Sequence, residues 1–387
     1  MKILLISAYP DGLIFGGVEA VANALVPALC KHKHIEELNI VSFEYCRKKP
    51  NISSRPIEKG LHYKIYSKDK FELLTKMAGD VKRLKNLCDY LKPDIVHGQG
   101  FGKEGVLAVQ QNFPSVITLH GLIHIERRMK IPNPTITQKL KFWLADKMVD
   151  LVLERSDLII STSKYDKNFL IEKNKKSFIS IPNPVPLEFF DKPVINDDRR
   201  ILFVGVVQPR KNIMGIIRAF AKALQKVPRA ELRIVGPTPF YEYNKSLNEL
   251  IEELGIKDKI TWLGHISQEK LILEYASCAF VVMFSLEETS PMAIAQATAI
   301  GKPVVSSDVG GISDMIIDGE NGFLIPSEND QDLANKITQL LMDEQLRNLM
   351  GKNAKEIAYE RCHPNKVAER TVHAYQTICC SNKGFRK

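Results

Sequence analysis

The chain has 387 residues, of which 44% are hydrophobic and 26% charged; these proportions are typical of folded globular proteins and exclude a disordered or fibrous chain. At about 100–200 residues per domain, the length predicts two or three domains. The formal net charge is +9, and all of the excess lies in residues 1–192, which points to an anionic partner for that half, unless its lysines form an ordinary solvated surface.

Short β-branched runs alternate with longer amphipathic stretches, a pattern that predicts parallel sheets with helical crossovers. The predicted strands of the first half are Ile3–Ser7, Leu38–Phe43, His62–Tyr66, Asp94–His97, Val116–His120 and Asp157–Thr162. Those of the second half are Ile201–Gly205, Glu231–Gly236, Ile260–Leu263, Phe280–Phe284, Pro303–Ser306 and Phe323–Ile325. Helices are predicted between them.

A proline-rich segment, Ile181–Pro186, separates the two halves. Prolines at alternate positions remove backbone donors, so this stretch reads as a linker. We therefore predict an α/β fold with two Rossmann-like, doubly wound domains facing an interdomain cleft. The domains are placed at residues 1–182 and 200–365, with a linker at 183–199 and a terminal helix at 366–387 that could pack back on the first domain.

No segment predicts a membrane span or a secretion signal. The longest nearly unbroken apolar run, Ala276–Leu286, is shorter than the roughly 20 residues that a bilayer requires. The N-terminal run Ile3–Ile6 soon meets Pro10, so no signal-peptide core forms. The cysteines include no Cys-x-x-Cys pair, which favours reduced thiols over a disulfide framework or a zinc site. We expect a cytoplasmic protein.

The segment Gly100–Gly105 matches the dinucleotide-binding pattern G-x-G-x-x-G. It follows a late strand, and the next strand ends at His120 without the acidic residue that would bind a ribose. A glycine-rich loop lining a cleft is therefore favoured, and an NAD-dependent oxidoreductase is the lesser alternative. The sequence also has no Walker phosphate loop and no Gly-x-Ser-x-Gly elbow.

The segment 285–311 carries the strongest functional pattern. After a strand come Glu288, Thr289 and Ser290, and Pro291 begins a helix. The amides of a helix start, with its positive dipole end, bind anions. Glu288 and Gln296 are eight positions apart, so both can face one pocket and bind hydroxyl groups. The alternative is that Glu288 only caps the helix.

Glu288-x7-Gln296 is followed by A-T-A-I-G-K-P-V-V, residues 297–305. This segment resembles the nucleotide-sugar motif of the retaining glycosyltransferases with the GT-B fold, E-x7-E followed by A-x-A-x-G-x-P-V-V. Gln296 replaces the second Glu, so a charge-assisted bond to the ribose is lost while an acceptor oxygen remains. The resemblance covers nearly the whole chain, through Gly16–Glu19, Pro93–His97, Thr118–Gly121, Ser156–Ser163, Ile181–Pro184, Leu263–His265, Gly310–Gly311 and Asp318–Gly322.

The resemblance implies roles for individual residues. Lys211 would hold the donor diphosphate together with Thr289, Ser290 and Gly17, and Arg210 would substitute for the arginine that the family places at Val206. Glu288 and His120 are the implied catalytic residues, with His120 hydrogen-bonding a hydroxyl of the transferred sugar unless it is only structural. Gln296 would bind the ribose, and the region of Gly236 and His265 would bind the base.

The implied reaction transfers a hexosyl group without a metal or cofactor. The donor is a nucleoside-diphosphate sugar, and the sequence does not decide between UDP, GDP and ADP. The acceptor would be a sugar or lipid-linked group in cell-surface polysaccharide or glycolipid synthesis. The basic amphipathic stretch Lys64–Lys92 could place the first domain on the anionic inner face of the cell membrane, unless its apolar stripe faces the core. Nucleic acid is not an expected partner. An epimerase or phosphorylase on the same fold is the closest alternative.

Overall fold

The computed structural model describes residues 1–12, 14, 16–45, 52–67, 77–122, 134–175, 177–195 and 199–383. The chain forms two compact units. The first contains the residues up to Pro184 together with those from Pro364 onward, and the second runs from Val185 to His363.

A sheet of eight strands forms the centre of the first unit. They are β1 (Lys2–Ile6), β2 (Glu37–Tyr45), β3 (Ile52–Ile57), β4 (Gly60–Ser67), β5 (Ile95–Gln99), β6 (Ser115–Thr118), β7 (Leu158–Ser161) and β8 (Phe178–Ser180). Their order is β3-β4-β2-β1-β5-β6-β7-β8, and β3–β4 is the antiparallel pair. The sequence does not predict β3 or β8, because these edge strands have no fully buried side chains to give them a pattern.

The second unit has a sheet of six parallel strands. They are β9 (Arg200–Val204), β10 (Glu231–Val235), β11 (Ile260–Gly264), β12 (Phe280–Met283), β13 (Val304–Ser307) and β14 (Gly322–Ile325). Their order is β11-β10-β9-β12-β13-β14. Each lies within one residue of a predicted strand at both ends, since most of these strands are short apolar runs bounded by polar residues or glycine.

The helices, in chain order, are α1 (Gly17–Lys31), α2 (Ala78–Leu91), α3 (Lys103–Val109), α4 (Ile136–Arg155), α5 (Lys164–Glu172), α6 (Leu187–Asp191), α7 (Ile213–Leu224), α8 (Tyr241–Glu253), α9 (Gln268–Ser277), α10 (Met292–Ile300), α11 (Asp330–Met342), α12 (Glu344–Cys362) and α13 (Pro364–Lys383). Among the described helices, none combines the length and the apolar character needed to cross a membrane.

Helices cover both faces of each sheet. Along β1, Leu4 and Ile6 belong to one buried cluster, whereas Ile3 and Leu5 belong to another. Alternate residues of a strand point to opposite faces, so a strand buried at every position needs a covering layer on both sides. Strand β9 shows the same division. The predicted α/β fold with two Rossmann-like sheets is confirmed.

The C-terminal helix α13 packs within the first unit. Its residues Val367, Val372 and Tyr375 share a buried cluster with Leu25 and Leu29 of α1. Burial of one large apolar side chain stabilises a fold by about 1.5–3 kcal/mol. Side chains from the far end of the sequence thus complete the core that the first strands begin.

The segment 183–199, predicted as a linker, contains part of the second unit. Phe189 and Phe190 of α6 are buried in the core of that unit, and the amide of Val185 donates to the carbonyl oxygen of Cys362 at 2.9 Å. The two aromatic rings supply enough apolar area to fix a helical turn directly after the prolines. Residues 196–198 lie outside the described residues.

Candidate functional site

Each sheet has one point at which the chain changes the direction in which it adds strands. This point lies between β1 and β5 in the first unit, and between β9 and β12 in the second. The loops that leave two such strands run in opposite directions, and open α/β sheets bind ligands in the crevice between them. Lys211 and Glu288 follow β9 and β12, so the predicted phosphate and catalytic residues of the second unit meet at its switch point.

A cluster of buried charges occupies this switch point. The ammonium of Lys211 pairs with Oε1 of Glu288. Nη1 of Arg210 lies 3.3 Å from Oε2 of Glu288 and 3.3 Å from Oε2 of Glu287, and it donates to the carbonyl oxygen of Glu287 at 2.5 Å. A backbone hydrogen bond also joins the loops that follow β9 and β12, since the amide of Leu286 donates to the carbonyl oxygen of Arg210 at 2.8 Å. The structure thus brings Arg210, Lys211 and Glu288 together.

Glu288 is held as a carboxylate and does not cap the helix. Burial raises the pKa of its carboxyl group, but the neighbouring charges of Lys211 and Arg210 outweigh burial and hold the pKa below its ordinary value. Pro291 occupies the N-cap position of α10, where no side chain makes a capping hydrogen bond. The capping alternative for Glu288 is therefore wrong.

The backbone of Glu288 rests on Gly310 and Gly311. The amide of Gly311 donates to the carbonyl oxygen of Glu288 at 2.9 Å. Gly310 has a φ of +56°, and a Cβ there would lie 1.9 Å from the same oxygen. No larger residue fits without displacing the loop, so the glycine pair after β13 fixes the position of Glu288.

Thr289 and Ser290 lie between Glu288 and the start of α10. Thr289 is buried, and its hydroxyl group has no hydrogen-bond partner within the described part of the chain. A buried hydroxyl without a partner costs stability, and in a native site it commonly marks a place where a ligand or water supplies the missing bond. Ser290 is partly exposed beside it.

Gln296 is buried on α10 and is held by a neighbour that the sequence does not predict. Its Oε1 accepts a hydrogen bond from the hydroxyl of Tyr275 at 3.3 Å, and the same hydroxyl donates to the carbonyl oxygen of Ala293 at 3.1 Å. Tyr275 therefore fixes the predicted ribose-binding side chain. No direct contact joins Gln296 to the charged cluster among the described hydrogen bonds and ion pairs.

Three glycines lie at the carboxyl ends of β9, β10 and β11. Gly205, Gly236 and Gly264 all have positive φ values, of +156°, +140° and +62°. A Cβ on Gly236 would lie 1.9 Å from the carbonyl oxygen of Gly205, so these two strand ends pack backbone to backbone. His265 follows Gly264 and is exposed. The predicted base-binding region is thus an edge of bare backbone beside one imidazole.

In the first unit, the loop after β1 is surrounded by charged side chains. Asp11 pairs with Arg55 at 2.7 Å and with Lys64, and Arg55 also donates to Nδ1 of His62 at 3.1 Å. Burial lowers the pKa of His62 to about 4, and the charge of Arg55 acts in the same direction. Gly17 lies farther along, exposed at the first turn of α1. The hairpin β3–β4 thereby holds one end of the glycine-rich loop.

His120 lies just beyond β6, where its Nε2 contacts Oε1 of Gln99. Although the ring keeps some exposure, the surrounding protein lowers the pKa of His120 to about 4, and a side-chain hydrogen bond with Asn183 opposes the shift. His120 is therefore neutral at physiological pH and acts as a hydrogen-bonding group rather than as a cation.

The glycines at 98–105 allow close packing within the first unit. A Cβ on Gly105 would lie 2.3 Å from the carbonyl oxygen of Gly100, and one on Gly98 would lie 2.8 Å from the carbonyl oxygen of Glu104. The turn between β5 and α3 thus explains the G-x-G-x-x-G pattern without a dinucleotide.

The basic stretch Lys64–Lys92 does not present an apolar stripe over its described helix. In α2, Leu84 and Leu87 are buried in the core of the first unit, whereas Lys82 and Lys85 are exposed. The alternative interpretation, in which the stripe faces the core and the lysines face water, is correct for α2. Residues 68–76 of the stretch lie outside the described residues.

Sequence reasoning missed Glu287, Gln99 and Tyr275 as parts of the sites. Glu287 adjoins Glu288, and Gln99 is two positions from His97 on one face of β5. The sequence alone therefore contains a signal for both Glu287 and Gln99. Tyr275 lies on a different helix from Gln296, and no local signal links them. Among the described residues, no group of three or more His, Cys, Asp or Glu side chains is placed to hold a metal ion.

Two family matches together extend over residues 15–357. Residues 15–189 match the family described as Glycosyltransferase Family 4, and residues 186–357 match the family described as Glycosyl transferases group 1. The boundary between them falls where the first unit gives way to the second.

Individual proteins agree with these matches. An uncharacterized glycosyltransferase from Methanocaldococcus jannaschii is 29% identical over 304 residues, which cover 76% of this chain and 79% of the relative. The N-acetyl-alpha-D-glucosaminyl L-malate synthase of Bacillus anthracis is 23% identical, with 98% and 97% covered. The crystal structure of HepE from Anabaena with UDP and glucose superposes with a TM-score of 0.75 at 19% identity, over 97% of this chain and 100% of that one.

Proposed function

The chain belongs to the group 1 glycosyltransferases with the GT-B fold, and we propose that it transfers a sugar, with retention of configuration, from a nucleoside-diphosphate sugar to an acceptor hydroxyl group. The observation that carries the proposal is the buried cluster of Arg210, Lys211 and Glu288 at the switch point of the second sheet. The matches do not favour an epimerase, a phosphorylase or an NAD-dependent oxidoreductase.

The cations of the cluster suit a leaving diphosphate. Cleavage of the sugar–phosphate bond develops negative charge on the leaving oxygen, and preorganised cations and amides lower the energy of that state. Lys211 and Arg210 would bind the diphosphate, with the hydroxyls of Thr289 and Ser290 and the start of α10 beside them. The reaction would then need no metal ion.

The two proposed catalytic residues have different duties. Glu288 stays ionised, so it accepts hydrogen bonds from the donor sugar and does not act as an acid. His120 is neutral and binds a hydroxyl of the transferred sugar. The acceptor oxygen bonds to the sugar on the face from which the phosphate departs, and the leaving phosphate takes the proton of the acceptor hydroxyl. Gln296 binds the ribose, and the edge formed by Gly236 and His265 receives the base.

Calorimetric titration with UDP, GDP and ADP, each without and with magnesium, tests this proposal. We expect micromolar binding of one diphosphate, unchanged by magnesium, and UDP comes first because HepE is solved with UDP and glucose. Lys211→Met should weaken that binding at least tenfold, since a charge-assisted bond contributes about 1.5–3 kcal/mol. Lys226→Met, at an exposed lysine after α7, is the matched control.

Two results would count against the proposal. Binding that appears only with magnesium would remove metal independence but keep the transferase. Failure of all three diphosphates to bind would overturn the assignment of the Arg210–Lys211 cluster to the donor.

The acceptor is proposed to be a sugar or a lipid-linked group that the first unit binds at the inner face of the cell membrane, in polysaccharide or glycolipid synthesis. Helix α4 supports the membrane contact, because Ile136, Leu140 and Trp143 form one exposed stripe, 86%, 55% and 55% accessible. Lys139 and Lys141 flank that stripe and suit an anionic surface.

Sedimentation with vesicles tests the membrane contact. We expect the protein to sediment with vesicles rich in phosphatidylglycerol at low salt, and less so with neutral vesicles or at high salt. Trp143→Gln should reduce sedimentation, whereas Tyr90→Gln, at an exposed aromatic on α2, should not. Absence of sedimentation with anionic vesicles would end the membrane proposal and leave a soluble acceptor.

A further inference from the structure

A buried chain of hydrogen bonds runs from the C-terminal helix to the carboxyl edge of the first sheet. The hydroxyl of Tyr375 on α13 lies 2.6 Å from Nδ1 of His97 on β5. The other ring nitrogen of His97, Nε2, lies 2.7 Å from Oγ1 of Thr118 on β6. The side chains of His97 and Tyr375 are both fully buried. No charged group takes part in these contacts, so the chain is a path of neutral dipoles.

Gln99 extends this chain to His120. Its Nε2 lies 3.3 Å from Nε2 of His97, and its Oε1 contacts Nε2 of His120. Gln99 is 3% exposed, so it has almost no water to compete for these bonds. Residues 97 and 99 project from the same face of β5, which is why one side chain can contact both histidines.

The amide of Gln99 determines where the protons of both rings lie. An amide nitrogen only donates, so it requires a lone pair on Nε2 of His97, and the proton of His97 then lies on Nδ1, facing the Tyr375 oxygen. An amide oxygen only accepts, so it requires a proton on Nε2 of His120. His120 is thereby left with its lone pair on Nδ1; the side chain of Asn183 also hydrogen-bonds this histidine, so it would share the ring with a substrate hydroxyl.

We propose that Gln99 is a positioning residue that holds His120 in its Nε2–H tautomer, so that Nδ1 accepts a hydrogen bond from a hydroxyl group of the substrate. His97 and Tyr375 stand behind Gln99 and fix its orientation. This role rests on the proposed function, because it is the transferred sugar that would supply the hydroxyl.

The tautomer matters because the substrate offers hydroxyl groups near a developing positive charge. A lone pair on Nδ1 accepts from such a hydroxyl and keeps electron density on the sugar oxygen, whereas a proton on Nδ1 would withdraw it. Burial agrees with this assignment, because it lowers the pKa of His97 to about 3 and the pKa of His120 to about 4, so both rings are neutral. A neutral ring has two tautomers, and a neighbour has to select one.

The first test needs no substrate. Long-range proton–nitrogen correlation spectra of the ligand-free protein, labelled with ¹⁵N-histidine, report which nitrogen of each ring is protonated, and His120→Asn identifies the signals of His120. We expect His120 with the proton on Nε2 and His97 with the proton on Nδ1. The opposite tautomer of His120 in the wild type would overturn the proposal whether or not the protein binds a diphosphate.

Variants of the positioning residue supply the second test. Gln99→Leu should give His120 a mixture of tautomers and lower kcat about 10- to 100-fold with the Kd for the nucleoside diphosphate unchanged, since the second unit holds the diphosphate. Gln99→Glu keeps an acceptor for His120, so it should retain the proton on Nε2 and recover part of kcat, while moving the proton of His97 to Nε2.

Tyr375→Phe keeps the buried ring and removes only the hydroxyl, so it remains informative if Gln99→Leu fails to fold. We expect it to broaden or shift the ring nitrogen signals of both His97 and His120. An unchanged His120 spectrum in both Gln99→Leu and Tyr375→Phe would show that the chain of bonds is only structural. If the wild type shows the expected tautomer but binds no nucleoside diphosphate, the result contradicts only the proposed function.

Discussion

Lys211 and Glu288 are 77 positions apart in the chain, yet their side chains form a buried ion pair at the switch point of the second sheet. In the ligand-free protein this carboxylate neutralises the ammonium that a diphosphate would require. On the proposed function, we expect donor binding to exchange these partners: Lys211 would turn from Glu288 toward phosphate, and Glu288 would become available to the sugar.

Removing one partner of this pair should destabilise the protein more than removing both. Lys211→Met leaves the buried Glu288 carboxylate with Arg210, at 3.3 Å, as its remaining cationic partner among the described residues, and loss of one member of a buried pair costs about 3–5 kcal/mol. The double variant with Glu288→Gln should recover at least half of that loss. Urea unfolding of the four proteins of the cycle measures the coupling, and additive effects would show that the pair is not energetically linked.

Gly310→Ala should displace the loop that carries Glu288. The Cβ would collide with the carbonyl oxygen of Glu288 at 1.9 Å, and the left-handed backbone adds about 1–2 kcal/mol of strain. Gly319→Ala is the matched control, since Gly319 also has a positive φ, of +78°, but opens onto empty space. We expect a loss of unfolding free energy of about 3 kcal/mol or more for Gly310→Ala and about 1 kcal/mol for the control. Equal losses would mean that the loop tolerates the collision.

Thr289→Val should raise the free energy of unfolding and lower the affinity for the donor. The variant keeps the shape of the side chain and removes a buried hydroxyl that lacks a partner among the described residues, so the free energy of unfolding should rise by about 1 kcal/mol. Affinity for the nucleoside diphosphate should fall about fivefold to tenfold. Thr298→Val is the control, because the Thr298 hydroxyl donates to the carbonyl oxygen of Ile294 at 2.9 Å. A more stable Thr289→Val with unchanged affinity would remove Thr289 from the site.

Stability should decline as the pH falls from about 6.5 toward 4. Burial lowers the pKa of His97 to about 3, and it lowers the pKa values of His62 and His120 to about 4, whereas the same groups in the unfolded chain titrate near 6.5. The unfolded state therefore binds more protons in this window, and the contribution of each histidine, complete above pH 6.5, falls by at most about 1.4 kcal/mol per pH unit.

Urea unfolding at pH 7.5, 6.0 and 5.0 measures this dependence. His62→Gln should make the decline shallower, and His265→Gln, at an exposed position, should leave it unchanged. Constant stability across the three pH values would contradict the burial of neutral histidines.

The sequence predicts the strands of the second sheet for a local reason, because most of them are short apolar runs that end at a polar residue or glycine. It also places Lys211 and Glu288 in the loops after two of these strands, but their ion pair is not visible in the pattern. The order of the strands depends on long-range pairing, so it is not visible in the pattern. Phe189 and Phe190 lie in a proline-rich stretch whose composition is typical of a linker. Only their burial in the core of the second unit assigns them to that unit. Tyr375 lies 278 positions from His97, and no spacing rule connects them.

Because α13 packs in the first unit, the two units are expected to complete their cores at different times during synthesis. The second unit is one continuous segment, from Val185 to His363, so all of its strands are available to pair before the last helix is synthesised. The first unit, although its strands are made earlier, has to wait for Val367 and Tyr375 before its core is closed. We therefore expect the first unit to complete its core after the second, and the face of α1 that packs against α13 to stay uncovered until α13 is made.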